Sequence, residues 1–263
     1  MGEALPGQFR IGPHTDFGTV TVLDRQHGKG GLQVWTDPAH GGTGWQDAPY
    51  VPGSLTVNIG DLMARWTDGR WRAAHTATTI TVYQAYAPSL GLPAARDGRF
   101  PPAWKRERMT WIKPSFLWMM YRCGWATKPD QERVLAIELD RTGFDWALRH
   151  ACLSHYDPAA HPDRDTWKHQ LRHSPARIQW DPERDLHLAA LPHRSLQLGL
   201  SGEASRRYAD EWTVAIRDVT PLAHKIHALV REGDTAAATA LLPDERPYPA
   251  PAETPGLSGV PIC

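Results

Sequence analysis

Near the start of the chain, His14-Thr15-Asp16 sets an imidazole and a carboxylate two residues apart. On a β-strand, residues i and i+2 face the same side, so both groups can reach one metal ion. A second histidine arriving from a distant strand would complete a facial triad for non-haem iron(II), with three positions left for cosubstrate and oxygen. A different chemistry is concentrated further on, where Arg106, Arg108, Lys113, Arg122 and Lys128 alternate with Trp104, Trp111, Trp118 and Trp125. Cations take phosphates and an indole stacks on a planar base, so this block suits a nucleotide-like anion. Lys113, Arg122, Arg108 and Trp111 are its candidate cofactor-binding residues. The competing reading buries Trp111, Phe116, Trp118 and Met119 as core and lets the cations reach outward on their apolar stems.

Two further clusters carry less. Histidines at 150, 155, 161, 169 and 173 have spacings that match no zinc pattern, and His169 and His173 fall on one helical face, which reads as a solvated surface. Ser201-Gly202-Glu203 lacks the flanking pattern of a nucleophile elbow, so a hydrolase triad is not indicated.

The elements that must position these groups change character along the chain. Residues 17–23, 31–35 and 54–59 alternate apolar with polar side chains between Gly, Pro and Asp, and residues 36–44 read as a hairpin loop, so the first quarter is all-β. After Thr76, a β-branched run at 78–83 leads through a Pro-containing loop to the aromatic block. A strand is expected at 134–139, helices at 143–153 and 164–172, and strands near Ile178 and Val214. Pro221 opens a helix with Leu222, Ile226, Leu229 and Val230 on one face, and Gly233 stops it. Asp234 caps a second short helix, and the Pro-rich residues 247–263 read as a disordered tail.

Composition sets the limits. With 263 residues, 41% hydrophobic and 22% charged, the chain can bury a core. Twenty-nine basic residues balance twenty-nine acidic ones, so no global field draws nucleic acid or an anionic membrane, and any phosphate must be held locally. Cys123, Cys152 and Cys263 form no CxxC pair, which fits a reducing cytoplasm rather than a disulfide framework. The opening residues show no export signal, and the most apolar block, 116–121, is too short to span a membrane.

Five blocks in order, His14-Thr15-Asp16-Phe17-Gly18, Gly31-Leu32-Gln33-Val34, Val51-Pro52-Gly53-Ser54, Val57-Asn58-Ile59-Gly60-Asp61 and Trp66-Thr67-Asp68-Gly69-Arg70-Trp71, resemble the isopenicillin N synthase-like iron(II)/2-oxoglutarate dioxygenases. The resemblance implies descent from a jelly-roll oxygenase that couples 2-oxoglutarate decarboxylation to substrate oxidation, with His14 and Asp16 as iron ligands. It breaks downstream. The family's second histidine lies about five residues past the tryptophan equivalent to Trp71, whereas His75 lies four past it. A one-residue slip on a strand turns a side chain to the other face. The family's arginine for 2-oxoglutarate has no counterpart in residues 81–90, and about half of the jelly roll's strands are missing.

From Thr78 to Pro249 the chain resembles a second family, the domain of unknown function 4291. The matching segments are Thr79-Ile80-Thr81-Val82-Tyr83-Gln84-Ala85-Tyr86, residues 105–125, Gln131-Glu132-Arg133-Val134-Leu135-Ala136-Ile137, Gln179-Trp180-Asp181-Pro182-Glu183-Arg184-Asp185 and Gly199-Leu200-Ser201-Gly202-Glu203. The order of its elements also looks like an ADP-ribosyltransferase, in which Tyr83 on an early strand, Ser115 in the middle and Glu211 before a late strand would surround NAD. A carboxylate there would stabilise an oxocarbenium-like state.

Together these features predict an α+β chain: a partial jelly-roll fragment over 1–75, a compact mixed α+β domain over 76–249 and a tail over 250–263. Three functional readings stay open. The chain is a fusion whose second domain uses NAD or another nucleotide, a working dioxygenase with iron(II) and 2-oxoglutarate, or a binding module without chemistry.

Overall fold

The computed structural model describes residues 20–24, 31–36, 44–59, 71–158, 160–251 and 253–255, and the chain divides into two compact units, Met1–Thr67 and Asp68–Cys263. In the first unit, the alternating segments become β1 (Val20–Asp24), β2 (Gln33–Thr36), β3 (Gly44–Asp47) and β4 (Leu55–Ile59). β2 and β3 pair antiparallel from Gln33↔Asp47 to Thr36↔Gly44, the hairpin that the Gly-rich spacing predicts. β1 pairs antiparallel with β4, and Val22 faces Val57 across the ribbon. Val22, Val57 and Leu55 are each more than half exposed. Among the described residues these strands stop at ribbons of two, with no barrel or closed sheet, as the partial jelly-roll reading anticipates.

The second unit is a full α+β arrangement. It runs β5 (Arg72–Ala73), β6 (Thr79–Tyr86), α1 (Pro88–Asp97), β7 (Thr110–Ile112), α2 (Phe116–Cys123), β8 (Arg133–Asp140), α3 (Arg141–Arg149), β9 (Ala151–Leu153), α4 (Arg164–His173), β10 (Ala176–Arg184) and β11 (Ala190–Leu200). It continues with α5 (Glu203–Arg207), a π-helical turn (Tyr208–Trp212), β12 (Thr213–Asp218), α6 (Thr220–Glu232), α7 (Thr235–Ala240) and β13 (Arg246–Pro247). A four-stranded sheet has the order β7-β11-β10-β9, a three-stranded sheet the order β12-β8-β6, and β13 pairs with β5. Ile80, Leu135, Ile137 and Leu139 from one sheet and Ile112, Ile178, Leu196 and Leu198 from the other share one apolar core with Phe144, Leu148 and Tyr208.

Helix ends follow local chemistry. Asp234 caps α7 through Ala237 N–H, and Gly233 adopts the left-handed φ of 82° that ends α6. α2, only eight residues long, would be marginal alone. It is held by burying Phe116, Met119, Met120 and Cys123.

Three expectations are corrected. The Pro-containing loop after Tyr86 is the helix α1, with Pro88 at its first turn where the missing N–H costs nothing; it keeps Pro93 inside because Gly91 and Ala94 bury against the fold. The helix expected through residue 153 stops at Arg149, and Ala151-Cys152-Leu153 pairs parallel with β10, an outcome a short apolar run leaves open. The segment from Pro247 to Pro255 is not a loose tail. Tyr248 is fully buried, stacked on Trp71 at 4.6 Å with its hydroxyl on Asp145 at 2.6 Å, and Trp180 donates to the Pro255 carbonyl at 3.3 Å. Residues 256–263 lie outside the described ones.

Candidate functional site

The four-stranded sheet has two unlike faces. Ile112, Leu198, Leu200, Ala176, Ile178 and Leu153 point into the core. The alternate positions carry Trp111, Gly199, Arg177 and Cys152, aligned in one row across the four strands by the pairs Trp111↔Gly199, Gly199↔Arg177 and Arg177↔Cys152. The next row holds Gln197 and Gln179, and beyond it Ser195 faces Asp181. Asp181 accepts from the side-chain amides of both Gln179 (3.0 Å) and Gln197. This is a polar sheet face only partly covered, since Trp111, Arg177, Gln179 and Asp181 are all half-buried.

Gly199 is what lets Trp111 lie down on this face. A Cβ built at Gly199 would meet the indole ring at 3.0 Å, so a side chain there would lift it. Beside it Arg177 has a buried Nε with no partner, and among the described residues its guanidinium makes no hydrogen bond or ion pair. An arginine held without a protein acceptor beside a half-exposed aromatic plane is equipped for an anionic ligand with a flat ring.

Two residues after Trp111, Lys113 extends from the same edge and is 6% exposed. Its ammonium reaches the Trp111 carbonyl at 3.3 Å and lies 5.3 Å from the Trp118 ring, with no ion pair among the described residues. Burial, with the Arg122 guanidinium nearby, lowers its pKa to about 7, against a smaller opposing pull from Asp181. Ser115 caps α2: its hydroxyl accepts from Trp118 N–H at 3.0 Å and donates to Glu183 at 2.8 Å. Glu245 accepts from Phe116 N–H at 2.7 Å. Burial, and then the neighbouring Glu183, push the Glu245 carboxyl up to about 8. A cavity of about 160 Å³ opens here, lined by Arg72, Phe116, Leu117, Leu242, Pro243 and Glu245.

The sequence-derived candidates are thus distributed unevenly. Tyr83 is buried edge-on to Phe116 at 5.4 Å, its N–H donates to the Lys113 carbonyl at 2.7 Å, and burial with Glu245 alongside pushes its phenol well above the usual value. Tyr83, Lys113 and Ser115 therefore share one neighbourhood. Glu211 does not join them: it is exposed, and its carboxylate pairs with Arg207 at 3.0 Å. Register puts it beyond Thr213, which faces Leu139 and then Ile80, whereas Tyr83 lies three positions further along β6 and two strands away, roughly 14 Å or more by strand geometry. The carboxylates that do stand by Tyr83 and Ser115 are Glu245 and Glu183. Sequence reasoning singled out neither: Glu183 lay without a role inside the family-matching segment Gln179 to Asp185, and Glu245 falls in the short stretch between the last helix and the expected tail. Arg122 and Arg108 are exposed, and Arg106 is taken by Asp210 at 2.7 Å. Trp104, Trp118 and Trp125 are core, leaving Trp111 as the half-exposed indole of the four.

His14 and Asp16 lie outside the described residues. His75 is engaged within the second unit: its Nε2 is 3.2 Å from the Pro247 carbonyl, its ring meets Tyr248 edge-on at 5.2 Å, and its backbone bridges Ile80. With its ring nitrogen committed to the strand that β13 supplies, and no arginine in residues 81–90, the residues present do not fit a complete iron(II) and 2-oxoglutarate centre. No group of three or more metal-ligating side chains occurs among the described residues, and none of the described helices is long and apolar enough to cross a membrane.

Comparison with known proteins completes this picture. The model for the domain of unknown function 4291 (DUF4291) matches residues 70–248. The chain belongs to this family. The 2OG-Fe(II) oxygenase superfamily model matches residues 4–84, and the relatives of that segment include several 2-oxoglutarate-dependent dioxygenases. The chain is 48% identical over 93 residues to the validamycin A dioxygenase of Streptomyces hygroscopicus subsp. limoneus, covering 35% of this chain and 22% of that protein. It is 40% identical over 82 residues to the 2-oxoglutarate-dependent dioxygenase tropC of Talaromyces stipitatus, covering 31% and 24%. With thnC of Trichoderma harzianum the figures are 42% over 69 residues, covering 26% and 21%. The chain therefore spans less than a quarter of the length of these relatives. Both family models claim residues 70–84, and in the structure β5 and β6 pair with β13 and β8, inside the DUF4291 unit.

Proposed function

We propose that the chain works through its DUF4291 domain, which binds a nucleotide-like anion on the polar face of the four-stranded sheet, and that the oxygenase-like segment does not turn over 2-oxoglutarate. The observation that carries this reading is the row Trp111, Gly199, Arg177: an indole laid flat by a glycine, next to a guanidinium without a partner. A base or similar ring stacks on the indole and a phosphate takes the guanidinium. Lys113 and Arg122 stand further along, and Gln179 and Gln197, oriented by Asp181, present amide groups to the ligand's polar edge. Ser115 acts here as a helix cap that positions the loop, and Glu211 has no part in the site.

Titration calorimetry with NAD, its fragments and simple nucleotides tests the proposal. At least one should bind, and Trp111→Ala and Arg177→Met should each weaken that binding by about 1–3 kcal/mol, the range for stacking and for charged hydrogen bonds, while the fold is retained. No heat from any of them with folded protein would overturn it.

The second reading, favoured by the similarity over residues 4–84, is an iron(II)/2-oxoglutarate-dependent dioxygenase with His14 and Asp16 as ligands. It requires His75 or another group to complete the triad. Tight iron(II) binding, together with succinate release lost in Asp16→Ala, would establish this reading in place of the first.

A further inference from the structure

Buried lysines are normally paired with a carboxylate, because an isolated ammonium loses its hydration without compensation. Lys113 is not paired. Its ammonium has one carbonyl at 3.3 Å and an indole face at 5.3 Å, although the carboxylate of Asp181 stands on β10, one strand beyond the neighbouring β11, and is held instead by two glutamine amides. The charged and titratable groups facing it are Arg122 and Cys123 from α2 and Asp181 from β10. The remaining lysines, 29, 105, 128, 168 and 225, share none of this: Lys105 and Lys128 are exposed, Lys168 pairs with Asp165 on the surface, Lys225 lies on the exposed side of α6, and Lys29 lies outside the described residues.

We infer that Lys113 is a nucleophilic amine that forms an imine with an anionic aldehyde or ketone bound on the polar sheet face. The inference rests on the proposed ligand face but asks for a carbonyl group in the ligand, which that reading does not. The neutral amine attacks the carbonyl carbon, forming the C–N bond as the C=O π electrons move to oxygen. That oxygen takes up a proton to give the carbinolamine, which then loses water to leave the C=N bond, so no oxidant or reductant is required. Three features of the chain serve this step. Loss of hydration on burial, with the Arg122 guanidinium nearby, favours the uncharged amine, consistent with a pKa near 7 in place of the usual value above 10. The open part of the face, where Trp111 and Arg177 are half-buried, admits a small anion and gives it a guanidinium to rest on. Asp181 is occupied by the amides of Gln179 and Gln197 and forms no ion pair with the lysine.

The test uses the intact protein and one probe, glyoxylate with cyanoborohydride, followed by peptide mass spectrometry of every lysine between pH 5.5 and 9.5. Lys113 should label at least tenfold faster than Lys105, Lys128 or Lys225 at pH 7, with a rate that rises through pH 7 and then levels off. A neutral fraction near one half against less than about one in a thousand for an ordinary lysine leaves room for that ratio even after a penalty for burial. Arg177→Met should slow labelling of Lys113 by glyoxylate but not by uncharged formaldehyde. Labelling of Lys113 no faster than the surface lysines, or only at high pH, overturns the inference. Because the measurement is made on wild-type protein, it does not depend on a Lys113 variant folding. Nucleotide binding without selective labelling would leave the ligand-face reading standing and remove this one, and selective labelling without nucleotide binding would do the reverse.

Discussion

The two units differ in how completely their apolar residues are used. In the first, Val22 and Val57 face each other across a two-stranded ribbon and remain 55% and 59% exposed. In the second, Ile80, Leu135, Ile137, Leu139, Ile178 and Leu198 are at 0%, closed between sheets and helices. Both segments carry clear family signatures, and by pattern alone both read as well-formed strands. The difference teaches that a strand pattern specifies a face to be buried but does not supply the surface that buries it. A jelly roll needs its full set of strands, whereas the DUF4291 unit has every layer within residues 68–255.

The strongest way to break this contrast is to remove side chains of equal standing in each unit. Tyr248→Ala deletes a ring stacked on Trp71, edge-on to Phe144 at 5.7 Å and bonded to Asp145, and should lower stability by about 3–5 kcal/mol, the range for large aromatic truncations. Val57→Ser, on the open ribbon, should change it by less than about 0.5 kcal/mol. Urea midpoints of the two variants against wild type check both, and equal losses would mean that the ribbon face is covered.

A smaller effect separates the two buried ionisable groups of the second unit through pH. Glu245 has its folded pKa raised to about 8 from 4.5, so the folded state binds the extra proton and stability falls as pH rises from about 4.5 to 8. Lys113 is lowered to about 7 from 10.5, so the unfolded state binds more protons and stability rises as pH goes from about 7 to 10.5. The two contributions should leave a shallow minimum near pH 7–8 in the unfolding midpoint. Glu245→Gln should flatten its acid limb, and Lys113→Met its alkaline limb. A monotonic profile in wild type, unchanged by either substitution, would show that neither group is displaced from its ordinary titration.

The smallest expected effect is also the sharpest statement about the boundary. A chain beginning at Asp68 keeps β5, and with it the pairing to β13 and the stack of Trp71 on Tyr248. Its thermal midpoint should match that of the second transition of the intact chain. A chain beginning at Thr76 loses Trp71 and Ala73 from the core and should melt lower. An unfolded circular dichroism spectrum for the first would tie the two units together.

Much of this was legible without coordinates. The change of family near residue 75, the α+β class, the strands expected at 78–83 and 134–139, and the caps at Gly233 and Asp234 follow from period, turn residues and motif order, all of which are local. The slip of His75 relative to its oxygenase counterpart was also visible as a one-residue difference in spacing. What held the ring was not: Pro247 and Tyr248 are more than 170 residues away, in a proline-rich stretch that reads as tail.

The functional face divides in the same way. Residue types alone singled out the cationic aromatic block, but exposure decides which members can meet a ligand, and exposure belongs to the packed structure. Trp104, Trp118 and Trp125 went to the core while Trp111 was left on the surface, because strand alternation sends Ile112 inward and Trp111 outward and because Gly199 on the neighbouring strand leaves room for the ring. Arg177, ordinary in sequence, became distinctive only when β10 was paired between β9 and β11 with no acceptor alongside. By itself the sequence determined which residues could do chemistry and which segments alternate. Only the tertiary structure decided which of those residues share a face, because register and burial are set by partners distant along the chain.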